Sequence, residues 1–549
     1  MEKTVAIRLE ELTKVFGSVV ANNKVSLDIY KGEILSILGE NGCGKTTLMN
    51  MIAGIYYPDG GKILINNEEV LIKSPRDAYD YNIGMVHQHF KLVDIFTAID
   101  NIILGEEIHY SIKEENKKLK KQYQSCLLLW LKQLALPFKK LFAKTWLKKD
   151  RGAKIQEIAN KYGFEVDLNK KIYEMSVSEK QTVEIIKVLY RGANILILDE
   201  PTAVLTPQEI KKLFNVLRKM KEDGKSIIII THKLNEVMEI SDRVAVLRKG
   251  EHIGTVETKD TNEKALTEMM VGEKIDLNIN RPEPVNSVDR LVVKDLTVIN
   301  HDGIKVVNNV SFEAKSGEIL GIAGIAGSGQ KELLEAIAGL QKINKGDILY
   351  NDPNGEKHID LRSKTPSQIR DLGVRLSFVP EDRLGMGLVG NMDIVDNMML
   401  RSYKKGVPII LDRNRPKKLA NSVVNELKVS TPSIKTAVRK LSGGNVQKVL
   451  VGREIAAAPT VLMAAYPVRG LDINSSYTIY NLLTDQKQKG VSVIFVGEDL
   501  DVLLALCDRI VVLCAGKVTG IVDARTITKD QVGLLMTKTN HEEESEEVK

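Results

Sequence analysis

The sequence predicts an α/β fold that occurs twice along the chain. Short apolar β-rich runs such as 195–198 and 226–230 alternate with helical stretches, a pattern typical of buried parallel strands. A glycine-rich loop with a lysine, at 39–46, follows another apolar run and precedes a helical stretch. Segment 31–35 also matches segment 316–320, which indicates a second copy of the same unit.

The repeat predicts the domain organisation. Its offset is 285 residues through the first part of each copy and 266 residues in the last part, so the first copy holds extra residues. Single cores seldom exceed about 250 to 300 residues, and 549 residues therefore fit two domains. We expect a first domain over 1–270, a polar linker over 271–290 and a second domain over 291–538. The acidic end, 539–549, has no apolar periodicity and is expected to be disordered.

The composition is that of a soluble globular protein, with 43% hydrophobic and 27% charged residues. The N-terminus lacks the apolar stretch of a signal peptide, and no uncharged run reaches the ~18 residues of a membrane span. We therefore expect a cytoplasmic chain. The four cysteines have no metal-ligand spacing and are expected to be free thiols: Cys43, Cys126, Cys507 and Cys514.

The basic charge of the chain is local. The formal net charge is +6, but segment 113–154 alone holds thirteen Lys or Arg residues against three acids. Because the rest of the chain is slightly acidic, a general nucleic-acid-binding surface is not supported. The extra residues of the first copy, about 106–150, are basic and include Trp130 and Trp146. Two interpretations stay open for this segment: an enlarged helical subdomain, or an amphipathic hairpin that touches anionic lipid headgroups.

The glycine-rich loop of the first copy has the residues that hold nucleotide phosphates. Its glycines let backbone amides turn toward phosphate oxygens at a helix N-terminus. Lys45 would neutralise β- and γ-phosphate charge, and the Thr46 hydroxyl can ligate magnesium. The residues expected to contact the nucleotide here are Gly39, Glu40, Asn41, Gly42, Cys43, Gly44, Lys45, Thr46 and Thr47.

Two adjacent acids follow an apolar strand in the same copy. Asp199 can hold magnesium, and Glu200 can polarise an attacking water. As structure alone, such a pair would be a helix cap, but the preceding phosphate loop favours catalysis.

Three further residues of the first copy give weaker signals. His232 follows the apolar run 227–230 and would approach the γ-phosphate, although a lone histidine is more often structural. Gln88 would contact magnesium and the nucleophilic water. Phe16 could stack on the adenine, although an aromatic residue at a strand end belongs to the core about as often. The predicted catalytic set is Lys45, Gln88, Glu200 and His232, and the predicted magnesium ligands are Thr46, Gln88 and Asp199.

Together with Leu441-Ser442-Gly443-Gly444-Asn445-Val446-Gln447, these residues resemble the ATP-binding cassette (ABC) family over nearly the whole chain. The resemblance implies ATP and Mg2+ as cofactors. It implies two tandem P-loop ATPase domains, each with a RecA-like α/β core, an antiparallel β part and a helical subdomain. It also implies a head-to-tail arrangement, in which the signature loop of one copy closes over the γ-phosphate held by the other. The signature residues expected to complete the first site are Ser442, Gly443, Gly444 and Gln447.

The opposite site is predicted to be degenerate. Its phosphate loop and catalytic positions carry the replacements Gln330, Lys331, Glu381, Ala465, Tyr466 and Glu498. The signature of the first copy has Ser178 in place of glycine, and its Cβ and the neighbouring Glu179 would crowd or repel a phosphate. Tyr466 cannot polarise water as a carboxylate does. We expect at most slow hydrolysis there, and bound nucleotide would act as a structural wedge.

One-chain pairs with segments such as 380–383, 469–472 and 497–501 look like the ATPase subunits of bacterial monosaccharide and nucleoside importers. His87-Gln88-His89-Phe90 is similar to the branch that serves basic-membrane-protein-type nucleoside lipoproteins. The resemblance implies an ATP-hydrolysing motor for nucleoside uptake, with two integral-membrane permeases and an extracellular substrate-binding lipoprotein as partners. It places the chain on the cytoplasmic face of the cell membrane, with no nucleic-acid partner. Uptake of ribose- or galactose-type sugars is the alternative. The departures from the pattern are Ser178, Thr182, Lys331, Tyr466 and the inserted segment.

Two other classes of function are alternatives to transport. A soluble twin-cassette ATPase that acts on ribosomes also has two modules, but that family usually keeps both sites, and a long charged interdomain linker is absent here. A scaffold that binds ATP without turnover is the other alternative. The complete set of catalytic residues in the first copy argues against it.

Overall fold

The computed structural model describes residues 4–17, 19–88, 90–105, 143–272, 278–325, 327–353, 355, 358–371, 376–380, 382–403, 411–497 and 499–537. The described residues divide into two compact units. The first lies within Met1–Ala203 and Glu209–Gly272, and the second within Val204–Gln208 and Glu273–Lys549.

The first unit contains ten described strands and eight described α-helices. Its strands are β1 (Val5–Phe16), β2 (Val19–Tyr30), β3 (Ile34–Leu38), β4 (Gly60–Ile65), β5 (Glu68–Val70), β6 (Ile83–Val86), β7 (Ile195–Asp199), β8 (Ser226–Thr231), β9 (Arg243–Arg248) and β10 (Glu251–Glu257). Its helices are α1 (Lys45–Ile52), α2 (Pro75–Asp80), α3 (Ala98–Ile102), α4 (Ala143–Tyr162), α5 (Val177–Tyr190), α6 (Pro207–Glu222), α7 (Leu234–Ile240) and α8 (Glu263–Val271).

Two sheets and a helical cluster build this unit. The larger sheet has the order β10-β9-β3-β8-β7-β6 and is parallel except for β10. Its central strands β3, β8 and β7 are buried along their whole length, as expected of a parallel sheet. The smaller sheet, β2-β1-β4-β5, is antiparallel. A separate apolar cluster joins α3, α4 and α5, and it contains Ile99, Ile155 and Ile186.

The second unit repeats this architecture. Its strands are β11 (Asp289–Ile299), β12 (Lys305–Lys315), β13 (Ile319–Ala323), β14 (Lys345–Tyr350), β15 (Ile359–Asp360), β16 (Leu376–Val379), β17 (Val461–Ala465), β18 (Ser492–Val496), β19 (Arg509–Cys514) and β20 (Lys517–Asp523). Its helices are α9 (Gln330–Ile337), α10 (Pro366–Asp371), α11 (Ile394–Met399), α12 (Asn414–Glu426), α13 (Gly443–Ala456), α14 (Ile473–Gln488), α15 (Leu500–Leu506) and α16 (Lys529–Thr537).

The strand order of the second unit is that of the first. A six-stranded sheet, β16-β17-β18-β13-β19-β20, lies beside an antiparallel sheet, β12-β11-β14-β15. Each unit therefore has the predicted α/β core and antiparallel β part. Single backbone torsions also repeat. Glu200 directly follows β7 and Tyr466 directly follows β17, and their φ values are left-handed, 47° and 49°. Their amides also make equivalent hydrogen bonds, to the carbonyls of Ile230 and Val496.

Several sequence predictions fall on residues outside the described ranges. These are most of the inserted segment 106–150, the acidic end 539–549, Cys126, Glu381 and Glu498. In the described part, Cys43, Cys507 and Cys514 are free thiols, as predicted. Across the ranges given above, no helix is long and apolar enough to cross a membrane.

Candidate active site

The phosphate loop of the first unit joins β3 to α1, and glycine is required at two of its turns. Gly44 has φ 99°, and a Cβ there would lie 2.3 Å from the carbonyl oxygen of Ala21. A Cβ on Gly39 would lie 2.3 Å from the carbonyl oxygen of Leu247. Backbone atoms cannot move aside as a flexible side chain can, so the loop has this shape only with glycine at these positions.

Lys45 lies inside this loop. Its side chain is buried, and Nζ donates to the carbonyl oxygens of Gly39 at 2.7 Å and Glu40 at 2.9 Å. The ammonium group is thus held by two backbone carbonyls of the loop that the glycines shape. Cys43 is also buried, and burial raises the pKa of its thiol, so this cysteine acts as a packing residue. Asn41, Thr46 and Thr47 are at least partly accessible.

Two of the predicted magnesium ligands are neighbours. Thr46 Oγ1 lies 3.4 Å from Asp199 Oδ1, which joins the start of α1 to the end of β7. Burial, followed by the charge of Glu200, raises the pKa of Asp199 to about 6. The hydroxyl and the carboxylate oxygens are hard ligands of the kind that Mg2+ takes.

Glu200 is engaged at both carboxylate oxygens. Gln88 Nε2 donates to Oε2 at 2.8 Å, and His232 Nδ1 lies 3.0 Å from Oε1. The hydrogen bond with His232 is the main cause that lowers the pKa of Glu200, which keeps this carboxyl ionised. The helix-cap interpretation of Asp199 and Glu200 is wrong, because the next helix, α6, begins only at Pro207.

The structure therefore brings six sequence-predicted residues of the first unit to one edge of its sheet: Lys45, Thr46, Gln88, Asp199, Glu200 and His232. They lie at or just after the ends of β3, β6, β7 and β8, whose carboxyl ends meet because these strands are parallel. The exposed ring of Phe16 packs edge-on against Tyr56, with ring centroids 5.3 Å apart. Its predicted stacking on adenine stays a prediction.

The predicted signature residues lie at the N-terminus of α13 in the second unit. Ser442 precedes the helix, and its side chain makes no capping hydrogen bond to the backbone. Ser442 and Gly443 are exposed, whereas Gln447 is buried one turn further on. In the first unit, by contrast, Ser176 and Glu179 form a capping box on α5, with the Glu179 carboxylate accepting from the Ser176 amide at 2.7 Å.

The described residues of the second unit's phosphate loop carry other side chains. Gly329 has φ 91°, but Gln330 occupies the lysine position and donates from Nε2 to the carbonyl of Ile325 at 3.2 Å. Lys331 pairs with Glu335 on the next turn of α9 at 4.0 Å. A cavity of about 350 Å³ next to this loop is lined by Lys331, Glu335, Pro380, Asp382, Met386, Ala465 and Tyr466.

The sequence did not predict the buried residues that form hydrogen bonds with the main chain of the loops at the first site. Asn22, fully buried in β2, donates from Nδ2 to the carbonyl of Gly44 at 3.2 Å. On α5, Gln181 and Glu184 are buried and form hydrogen bonds with the main chain of the loops that carry Gln88 and Glu200. The available signal was a glutamine and a glutamate three residues apart on a helix whose other inward positions are apolar.

The first unit thus has the fold and the site of a P-loop nucleoside-triphosphatase: a glycine loop with an inserted lysine, paired acids at a strand end and polar residues on the carboxylate. The sequence model of the ABC transporter family matches residues 22–203 and 307–467. The chain belongs to the ABC transporter family, and the predicted family, fold class and enzyme class, an ATPase coupled to transport, are confirmed.

Curated relatives match this chain over nearly its full length. The guanosine import ATP-binding protein NupO of Bacillus subtilis (strain 168) is 39% identical over 540 residues, 98% of each chain. The nucleoside import ATP-binding protein NupA of Lactococcus lactis subsp. cremoris (strain MG1363) is 38% identical, covering 98% of this chain and 99% of the relative. The glucose import ATP-binding protein TsgD13 of Haloferax volcanii is 37% identical, with coverages of 97% and 95%.

One solved structure is similar over most of the chain. It is the complex of the archaeal ribosomal stalk protein aP1 and the archaeal ribosome recycling factor aABCE1, with a TM-score of 0.51 and 16% identity. The match covers 91% of this chain and 87% of that chain. At this identity the likeness shows the fold alone.

Proposed function

We propose that this chain is the ATP-hydrolysing motor subunit of a bacterial ABC importer that energises nucleoside uptake through partner membrane permeases. One observation carries the motor role: Glu200 is held ionised between Gln88 and His232, beside a phosphate loop that contains Lys45. Such a carboxylate can orient and polarise a water molecule next to a γ-phosphate. Binding without turnover would not require this arrangement.

The residues of the first unit divide the work of phosphoryl transfer. Lys45 and the backbone amides of the loop bind the β- and γ-phosphates, while Glu200 and His232 act on the attacking water and the γ-phosphate. Mg2+ would be held by Thr46, Asp199 and the Gln88 amide oxygen, and when bound it neutralises phosphate charge. Mg2+ usually keeps several waters and shares phosphate oxygens, so this donor set of one carboxylate and two neutral oxygens suits it.

The second unit completes the site in this proposal. Ser442, Gly443, Gly444 and Gln447 form the signature that closes over the γ-phosphate, and the uncapped N-terminus of α13 suits an anion. The degenerate site on the other side hydrolyses ATP slowly at most, because Ala465 and Tyr466 stand where the acids are needed. Hydrolysis at one site is then sufficient to reset the transporter.

The printed names of the relatives support the proposed cargo. Two of them are named for guanosine or nucleoside import, which supports a nucleoside as cargo. The glucose importer at 37% identity makes sugar the second candidate. We propose two integral-membrane permeases and an extracellular substrate-binding lipoprotein as partners, with this subunit peripheral on the cytoplasmic face of the membrane. No finding beyond a shared fold supports action on ribosomes.

The test is to isolate the full-length protein from gently solubilised native membranes, identify the proteins that co-purify, and measure which small molecules any recovered lipoprotein binds. Recovery with a permease pair and a lipoprotein that binds nucleosides is the expected result. A lipoprotein that binds sugars instead would change the cargo, and recovery with ribosomes would overturn the transport proposal.

A further inference from the structure

Three polar side chains occupy one face of α5 in the first unit. Gln181, Glu184 and Lys187 are spaced three residues apart, so they lie along one face of the helix. Gln181 is 4% exposed and Glu184 is 3% exposed. Because buried polar groups without hydrogen bonds are costly, such residues persist where they have specific partners.

Two of these side chains hold the loop that carries Gln88. Glu184 Oε1 accepts the amide of Lys91 at 2.8 Å, and Lys187 Nζ donates to the carbonyl of Lys91 at 3.0 Å. Lys91 follows Gln88 by three residues, so both backbone groups of one loop residue are attached to α5. Lys187 also lies 3.4 Å from Glu184, which keeps the buried carboxylate next to a positive charge.

The third side chain holds the loop that carries Glu200. Gln181 Nε2 donates to the carbonyl of Pro201 at 2.7 Å, in a hydrogen bond that is fully buried. Pro201 directly follows Glu200, whose left-handed backbone needs support from its surroundings. One helix therefore anchors the two loops whose side chains meet in the 2.8 Å contact between Gln88 and Glu200.

The second unit shows that the fold itself does not need these anchors. The equivalent helix, α13, has Leu450 at the position of Glu184, and Leu450 is fully buried. Neither amide atom of Gln447, at the position of Gln181, has a hydrogen-bond partner among the described residues. The contact equivalent to that of Lys187 is present: Arg453 Nη2 donates to the carbonyl of Gly387 at 2.7 Å. The anchors thus accompany the acids, since the second unit has Ala465 and Tyr466 in their place.

We infer that Gln181 and Glu184 are positioning residues of the hydrolytic site: together they hold the loops that carry Gln88 and Glu200, so that these two side chains keep their positions relative to each other. This inference rests on the proposed hydrolysis at the site of Lys45 and Glu200. In the proposed site ATP is bound by the phosphate loop, whereas the hydrogen bonds of Gln181 and Glu184 go to Pro201 and Lys91, outside that loop. Loss of an anchor therefore lowers kcat and leaves KM for ATP nearly unchanged.

The test is steady-state ATP hydrolysis by the full-length chain carrying Glu184→Leu, Gln181→Met or Glu184→Gln. Glu184→Leu reproduces the residue of the second unit, whereas Glu184→Gln keeps an oxygen that accepts from Lys91. Ile186→Val is the matched control, because Ile186 is fully buried on the same helix and loses only apolar packing. Melting temperatures of all four variants report the structural cost, and Lys45→Ala measures the dependence on the proposed site.

Glu184→Leu and Gln181→Met are expected to lower kcat about tenfold with KM within about twofold, since small misplacements of reacting groups have effects of this size. Glu184→Gln is expected to restore most of kcat, and Ile186→Val to lower the melting temperature without lowering kcat. A loss of kcat that follows melting temperature across all variants, Ile186→Val included, would overturn the inference. Unchanged turnover in Lys45→Ala would instead overturn the proposed site, which separates the two failures.

Discussion

The helices α5 and α13 begin with the same serine, at Ser176 in the first unit and Ser442 in the second, and use it differently. Ser176 forms a capping box with Glu179, so the backbone amides of both residues are already hydrogen-bonded within the protein at the N-terminus of α5. Ser442 makes no capping hydrogen bond, and its hydroxyl accepts from the Asn445 side chain instead. An identical position thus stabilises the helix in one unit and remains available to a ligand in the other.

The phosphate loops differ in the opposite sense. Lys45 in the first unit has become Gln330 in the second, and the buried Asn22 that supports Gly44 corresponds to Val307. The backbone torsion at the last glycine of the loop has barely changed, since φ is 99° at Gly44 and 91° at Gly329. The two phosphate loops therefore differ in their side chains, and the two signature segments differ at the N-terminus of the helix.

The largest effect should separate the two phosphate loops. Lys45→Ala or Glu200→Gln should lower ATP turnover about a thousandfold, because each removes a charge from the transition-state environment. Gln330→Ala in the second unit should change turnover no more than about twofold. Steady-state phosphate release by purified full-length protein measures both. Equal losses in the two units would contradict the asymmetric-site comparison.

A second difference concerns two equivalent ion pairs, each between a helix and the residue just before a strand of the main sheet. Lys487 and Asp508 are 2.7 Å apart, with side chains only 2% and 6% exposed, whereas Lys221 and Asp242, 2.6 Å apart, are 37% and 32% exposed. In the second unit the linker covers the pair: Lys487 also donates to the carbonyl of Pro282. The buried pair of the second unit should therefore contribute more to stability than the exposed pair of the first unit.

Lys487→Met should lower the free energy of unfolding by about 3 kcal/mol, because it leaves a buried carboxylate with less compensation. Lys221→Met should cost less than about 1 kcal/mol, since water and salt already screen that pair. Chemical denaturation of the two variants, followed by a probe in each unit, measures the difference. Similar losses would show that the linker does not set the environment of Asp508.

The sequence predicted the fold and the side chains of the candidate site for local reasons. The glycines of the phosphate loop, the acids after β7 and His232 after β8 all follow apolar strands, and parallel strands bring their carboxyl ends together. What the sequence could not predict was burial of polar groups. In the sequence, Glu184 and Asn22 look like ordinary polar residues. The fold buries them and hydrogen-bonds Asn22 to the phosphate loop and Glu184 to the loop that carries Gln88. Their partners are main-chain groups, which carry no sequence signature of their own.

The smallest effect should come from the paired serines, and it should have opposite character in the two units. Ser176→Ala removes a cap and should cost about 1 kcal/mol of stability while leaving turnover within about twofold. Ser442→Ala removes no capping bond, so stability should change by less than about 0.5 kcal/mol, while turnover should fall about tenfold because the proposed hydrogen bond of Ser442 to phosphate is lost. Denaturation and ATP hydrolysis measured on both variants give four values. A loss of turnover in Ser176→Ala as large as in Ser442→Ala would mean that the signature of the first unit also works on nucleotide, and the two units would then be less specialised than their side chains indicate.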